Sequence, residues 1–447
     1  MIKKKYLKRK IDNQLLTWKE NIDHFPLIVS GARQVGKSSS ILHFAHDYYE
    51  SVIEINFIDH PEYKQIIENG YSATSITKLI SLLNPHAKFI ENRTLIFFDE
   101  IQEIPDILTS LKFFYLDGRY DVICSGSLLG VHYEMVKSFG VGYSTSIKMH
   151  AMDFEEFLWA NGYGEEIKDD ILAHMINVVP FSEIELRKYY SLFFDFCITG
   201  GLPRVVENYI RKGTFENCLQ LQKDLVTEYK KDVAKYHEKL DQIRILNTFE
   251  SIPIFLSKEN KKFMPSQIRK KGTLDEYMPC IQWLKDAGLA LLCHNLKSPQ
   301  IPLQGNYDEE KFKIYFFDTG LLLSMLDPES QQDFRVNRNF GIYKGGLYEN
   351  IIAEAISKQE RALFYYKKEN STLEEDFFLR TEDSVVPIEV KAGNNKAKSL
   401  EALIKSRSYS EIRFGIKLTN GNIGYNSQIY TLPHFTSFLL TSFLEEK

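Results

Sequence analysis

Residues 26 to 38 read Pro26-Leu27-Ile28-Val29-Ser30-Gly31-Ala32-Arg33-Gln34-Val35-Gly36-Lys37-Ser38. An apolar run leads into a glycine, four residues, and then Gly36-Lys37-Ser38, which is the spacing of a nucleoside-triphosphate cradle. Leu27 to Val29 predicts a buried strand, and Ile41-Leu42-His43-Phe44-Ala45 predicts the helix that follows. The glycines let the backbone turn tightly and aim successive N–H groups at the α and β phosphates. Lys37 can reach the β and γ oxygens, and the Ser38 hydroxyl can ligate magnesium. A helix starting near Gly36 adds the positive end of its dipole. The expected cradle is Gly31, Ala32, Arg33, Gln34, Val35, Gly36, Lys37, Ser38 and Ser39.

Such a cradle needs a partner carboxylate. Thr94-Leu95-Ile96-Phe97-Phe98-Asp99-Glu100 supplies it: an apolar run predicts a buried parallel strand with two acids at its C-terminal edge. Ligands of open α/β sheets collect at that edge. Asp99 is therefore expected to hold the magnesium shell through water, and Glu100 to polarise the attacking water. Lys37, Asp99 and Glu100 form the expected catalytic set. A further strand, Asp121 to Cys124, ends in Ser125-Gly126-Ser127. Ser125 there can meet the γ phosphate or the attacking water, or the three residues form an ordinary turn.

These strings, with Ile101-Gln102 after the two acids and Met152-Asp153-Phe154-Glu155-Glu156-Phe157-Leu158, resemble a bacterial and archaeal branch of the AAA+ ATPases. Gly200-Gly201-Leu202-Pro203, Tyr229-Lys230-Lys231-Asp232-Val233, Phe317-Asp318-Thr319-Gly320-Leu321, Gly346-Leu347-Tyr348-Glu349-Asn350 and Pro387-Ile388-Glu389-Val390-Lys391 extend the likeness over nearly the whole chain. The resemblance implies ATP and Mg as cofactors, ATP hydrolysis, several domains and a C-terminal domain of unknown function. Many ATPases of that superfamily act as rings, so a homo-oligomer is among the expected partners, although no arginine here is assignable as a trans-acting finger. Arg204 is read as structural. Similar proteins often carry a basic residue near Gly142, where this chain has Tyr143.

Composition agrees with a large folded chain. Its 447 residues suggest about three domains, and 44% hydrophobic content suffices for packed cores. The net charge of -5 means that any nucleic-acid contact must come from a local patch. Five widely spaced cysteines without metal-ligand spacing read as thiols of a reducing compartment. The N-terminal cluster Lys3, Lys4, Lys5, Lys8, Arg9 and Lys10 is followed by no apolar stretch of leader length. It reads as a solvated helix face or tail, or else as an anionic contact. No window approaches the ~20 apolar residues that cross a bilayer, so the expectation is a cytoplasmic protein with no membrane contact.

The expected fold class is α/β: a P-loop NTPase parallel sheet flanked by helices, then a helical and winged-helix region, then an α/β nuclease-like domain. The expected divisions are 1–165 for the ATPase, 166–244 for a helical lid or linker, 245–340 for the winged helix and 341–447 for the nuclease-like domain. In the third, Thr273 and Glu276 predict a capping box, and Tyr277, Ile281 and Leu284 share one helix face. Leu289 to Cys293 and Lys313 to Phe317 predict the wing strands. The second helix carries Asp275, Glu276 and Asp286 beside Lys285, which leaves DNA binding and protein docking both open.

In the last segment, Glu389 and Lys391 lie two apart on a predicted strand and so share a face. Asp376 starts a neighbouring strand. Two carboxylates suit an oxygen-liking cation, and a lysine beside them stabilises developing charge. Glu349, Asp376, Glu389 and Lys391 together resemble the PD-(D/E)XK nuclease fold, with Glu374 matching similar ATPases and Glu375 standing where they carry an apolar residue. Such a fold can keep its shape without cutting. Two functional classes follow: an ATP-driven machine acting on or near nucleic acid such as DNA, or an ATP-controlled switch that docks a protein partner.

Overall fold

The computed structural model describes residues 6–127, 142–236, 239–326, 342–393 and 396–447, with Glu329 and Asp333. Lys3, Lys4 and Lys5 of the basic cluster lie outside these residues, as does the expected division at 340/341. The chain resolves into two compact units, Met1–Ala151 with Asp286–Gly288, and Met152–Lys285 with Leu289–Lys447.

The first unit is built on five parallel strands, β1 (Leu27–Ser30), β2 (Ser51–Asn56), β3 (Thr94–Asp99), β4 (Asp121–Gly126) and β5 (Thr145–Lys148), in the order β2-β3-β4-β1-β5. β3 is buried along its whole length, which is why its sequence reads as a continuous apolar run rather than an alternation. Ile76 and Ile80 of the helix Ala73–Leu83, with Phe114 of the helix Leu111–Asp117, pack with Ile96 and Phe98 of β3. Because β4 lies between β1 and β3, the C-terminal ends of these three strands are adjacent. The loop after β1, the acids after β3 and the serines ending β4 therefore meet at one edge.

The second unit opens with helices, as the apolar spacing predicts: Phe154–Ala160, Glu166–Asn177, Glu183–Thr199, Pro203–Lys212, Cys218–Tyr236 and Lys239–Leu256. Phe154, Phe157, Phe193 and Phe196 pack ring against ring in their core. Two mixed sheets follow. One runs β7-β6-β8-β9, from β6 (Ala290–Leu296), β7 (Tyr307–Phe316), β8 (Leu363–Lys367) and β9 (Glu374–Glu375). The other runs β10-β11-β12-β14-β13, from β10 (Phe377–Arg380), β11 (Val385–Val390), β12 (Gly415–Thr419), β13 (Gly424–Asn426) and β14 (Ile429–Pro433).

The expected wing strands are present as the antiparallel pair β6–β7, but β6 also pairs in parallel with β8. This strand pair is thus part of a sheet that continues into the last segment, and backbone pairing crosses the expected 340/341 division. The helix Leu274–Asp286 buries Tyr277, Cys280, Ile281, Trp283 and Leu284 and exposes Asp275, Glu276 and Asp286. Thr273 N–H donates to Glu276 at 3.4 Å, a long closure of the capping box.

Several strings of the resemblance converge inside this unit on a buried polar node. Gly201 N–H donates to Asp318 at 2.7 Å, and the Thr319 N–H and hydroxyl both donate to Glu354, which pairs with Lys358 at 2.6 Å. A Cβ on Gly201 would meet the Met152 carbonyl oxygen at 2.0 Å, so only glycine lets these backbones approach. Burial and then the Glu354 charge push the Asp318 carboxyl up to about 6. The node is structural: its groups satisfy one another.

Candidate functional site

At the strand edge of the first unit the phosphate-loop backbone has the conformation its glycines predict. Gly31 has φ 147° and Gly36 φ 101°. A Cβ on Gly31 would lie 2.1 Å from the carbonyl oxygen of Met149, the residue just after β5. Gly36 caps the helix Lys37–Tyr48, whose first turn contains Lys37, Ser38 and Ser39. The Lys37 ammonium curls back and donates to the carbonyls of Gly31 and Ala32, each at 2.9 Å. Burial draws its pKa down to about 8, against the pull of Glu100 and Asp99.

Ser38, Asp99 and Ser125 come together. The Ser38 hydroxyl donates to Asp99 Oδ2 at 2.8 Å, and the Ser125 hydroxyl donates to Asp99 Oδ1. Asp99 is buried at the end of β3 and also accepts the Glu100 N–H at 3.0 Å. Glu100 sits at φ 56°, a left-handed conformation costly for a side chain with a Cβ, and its carboxylate accepts the Gln102 amide at 2.5 Å. The residue chosen to orient water is therefore held at the site by a strained turn.

Three contributors escaped the sequence reading. Asn56, ending β2, donates to Asp99 Oδ2 at 3.2 Å, while its own Oδ1 accepts the N–H groups of Ile58 and Asp59. Its only sequence signal was a polar residue at the end of a strand. Met149 closes against Gly31. Arg9, expected on a solvated face or tail, is 4% exposed. Its guanidinium donates to the Val35 carbonyl of the phosphate loop at 2.7 Å and to the His150 carbonyl at 2.8 Å. For Arg9 the expectation of a solvated charge is corrected: its guanidinium turns inward to a carbonyl of the loop and one just after β5. Nearby, the Tyr6 hydroxyl bridges Asp12 and Ser40 at 2.5 and 2.9 Å. Tyr143 packs among Phe25 and Tyr115 with Lys112 over its ring, an aromatic cluster rather than a phosphate contact.

The loop fits a magnesium–nucleotide group. Its positive-φ glycines, a buried ammonium donating to loop carbonyls, and a serine hydroxyl on a buried aspartate are the donor set such a ligand requires.

The C-terminal acids behave differently. Glu349 lies on the helix Ile342–Lys358 and is taken by Lys261 at 2.9 Å, Lys313 at 3.5 Å and the Tyr315 hydroxyl at 2.9 Å. Burial alone would raise its carboxyl, but Lys313 and Lys261 hold it below the ordinary value. Asp376 accepts the Val390 N–H at 2.9 Å, and burial followed by the Glu349 charge pushes it up to about 7. Glu389 pairs with Lys391 through one oxygen, and its other oxygen has no partner. Glu374 turns to Lys313 and Lys367. Glu375 is fully buried with neither oxygen bonded, and burial, then Glu389, push its carboxyl well up.

Among the described residues, three metal-ligating groups gather at Asp170, His174 and Glu185, and no such group forms from Glu349, Asp376 and Glu389. The acids of the expected second cation set, Asp376 and Glu389 with Glu349 and Lys391, are accompanied in this structure by the ammonium groups of Lys261, Lys313 and Lys391. The five cysteines are all buried and unbridged. Among the described residues no helix is long and apolar enough to cross a membrane.

Residues 23–158 match the AAA domain family. The match supports an AAA-type, ATP-binding P-loop domain, in agreement with the parallel sheet and phosphate loop. Residues 190–332 and 344–435 match two domains of unknown function, DUF8612 and DUF4143. Among solved structures, the Walker-type ATPase PABY2304 of Pyrococcus abyssi is similar at 15% identity, covering 72% of this chain and 96% of its own, with a TM-score of 0.44. PCH-2 of C. elegans is 12% identical over 50% of this chain and 69% of its own, with a TM-score of 0.27. The Drosophila ORC bound to DNA is 13% identical over 74% and 96%, with a TM-score of 0.29. No curated protein matches the chain.

Proposed function

We propose that this protein is a magnesium-dependent ATPase that acts on or near nucleic acid. The observation that carries the ATPase reading is the hydrogen-bonded set Ser38, Asp99 and Ser125 beside the glycine loop and its buried Lys37. In this reading Lys37 would exchange the Gly31 and Ala32 carbonyls for phosphate oxygens, and Ser38 with Asp99 would hold magnesium, which would supply charge neutralisation at the phosphates. Glu100 orients the attacking water and Ser125 reports which nucleotide is bound. Lys37→Ala is expected to abolish ATP binding in a fluorescent-nucleotide titration, and Glu100→Gln to keep binding while slowing phosphate release in a turnover assay. Unchanged turnover in either variant refutes the assignment.

The last hundred residues are read as a PD-(D/E)XK-like scaffold, supported by the order of the helix carrying Glu349, strands β8, β10 and β11, and the helix Lys398–Lys405. Cleavage is not part of the proposal, because lysines occupy the acids. The second reading, a switch that docks a protein partner, is favoured by the acidic exposed face of the helix Leu274–Asp286. Mass measurement with and without ATP tests the homo-oligomer that the resemblance implies; an unchanged mass removes it.

A further inference from the structure

Beside the acids of the second unit lies an open cavity of about 700 Å³ that the sequence does not announce. Its floor is a face of the β7-β6-β8-β9 sheet. Lys311 and Lys313 lie two apart on β7 and so share that face, Asn295 comes from β6, Tyr365 and Lys367 from β8, and Glu374 from β9. Lys262 joins through a backbone bridge to Lys313, and Lys368 follows β8.

The lining holds five lysines against two glutamates in a protein whose net charge is -5. Glu369 is taken by Lys311 at 3.0 Å, and Glu374 by Lys313 at 3.2 Å and Lys367 at 2.9 Å. The ammonium groups of Lys262 and Lys368 have no ion-pair partner among the described residues. Exposed positive charge of this kind attracts anions over a Debye length.

Two features choose among anions. Among the described residues no aliphatic side chain lines the cavity, which argues against an acyl chain or an apolar small molecule. Finally, the lysines are spread along the strands: Lys313 and Lys367 meet on Glu374, while Lys311, two residues away on β7 or about 7 Å, pairs with Glu369. That spread suits successive phosphates along a strand better than one free phosphate.

We propose that this lysine-lined sheet face binds the phosphate backbone of nucleic acid, with Lys262 and Lys368 as its free phosphate contacts. The proposal gives a location to the nucleic-acid half of the function above and rests on that half. It does not use the ATP site, and it does not use the helix Leu274–Asp286.

The test uses the full chain without nucleotide and fluorescein-labelled mixed-sequence DNA of about 25 nucleotides, single-stranded and duplex, followed by anisotropy from about 50 to 300 mM salt. Each lost phosphate contact on duplex lowers the slope of log affinity against log salt by about 0.9, which at 0.1 M salt is about eightfold in affinity. Lys262→Gln/Lys368→Gln is therefore expected to weaken duplex binding by about sixtyfold and to lower the slope by nearly two. Circular dichroism and melting of the variant check that it is folded, and Lys368→Gln alone, at an exposed position, is expected to show half of the slope change. Lys270→Gln/Lys271→Gln, in the exposed turn before the acidic helix, is expected to bind as the wild type does.

If the wild type binds DNA with a salt slope but the cavity variants match it, the site is wrong and the nucleic-acid reading stands. If the loss appears in the turn variant instead, the proposal is likewise overturned. Absence of any salt-sensitive binding overturns both site and nucleic-acid reading while leaving the ATPase untouched. Labelled poly-glutamate bound as tightly as DNA would assign the face to an acidic protein.

Discussion

Replacing Arg9 by methionine tests the claim that a residue far from the phosphate loop in sequence holds it in shape. Methionine keeps much of the buried stem and removes the guanidinium. Two carbonyls, the buried Val35 O and the half-buried His150 O, then lose donors at 2.7 and 2.8 Å. A hydrogen bond from a charged donor contributes about 1.5–3 kcal/mol, and at 4% exposure solvent replaces little of it. Taking the low end for each bond, Arg9→Met should cost the first unit about 3 kcal/mol. For a unit of this size that is a fall of about 6–12 °C in melting temperature. Because the Val35 carbonyl belongs to the loop itself, nucleotide affinity should fall as well, and Arg9→Lys should recover part of both effects by serving one carbonyl. Differential scanning fluorimetry gives the melting temperature, and titration with a fluorescent ATP analogue gives the affinity. If Arg9→Met melts within a degree of the wild type and binds nucleotide equally, the clamp is a passive contact and the reasoning fails.

Gly31→Ala should unfold or empty the phosphate loop, since its Cβ would overlap the Met149 carbonyl at 2.1 Å and φ is positive; full nucleotide affinity in that variant would contradict the geometry. Asn56→Ala removes an amide that orients Asp99 and should raise the magnesium needed for half-maximal ATP turnover by about tenfold, read from a magnesium titration; an unchanged titration refutes a role for Asn56. Glu375 carries a carboxyl pushed above its ordinary value by burial and by Glu389, so its stabilising neutral form is fully populated below the unfolded value near 4.5 and is lost as pH rises through the folded value. Glu375→Gln should therefore gain stability relative to the wild type between pH 5 and pH 8 in urea unfolding. An equal difference at both pH values would show that the acid is not titrating in the fold.

The loop from Gly31 to Ser38, the acids after β3 and the serines after β4 were legible in sequence because each is a local backbone device: a tight turn, a strand end, a helix start. Their apolar flanks fix the strands, and the strand edge fixes where a phosphate can sit. The C-terminal acids were legible as residues but not as a site. Neighbours on a strand face opposite ways, so Glu374 and Glu375 part company, and lysines from distant segments, Lys261 and Lys313, pair with Glu349.

Composition and local pattern by themselves thus determined the P-loop sheet, the nucleotide chemistry expected of it and the helix-rich segment that follows. Only the tertiary structure decided which residues complete each site. Arg9 reaches the loop across 26 residues and His150, after β5, across 141, and the pair β6–β7 joins β8 to form the lysine-lined face. Contacts of that separation have no periodicity to read. They are set by which carbonyls and charges the packed chain leaves unpaired.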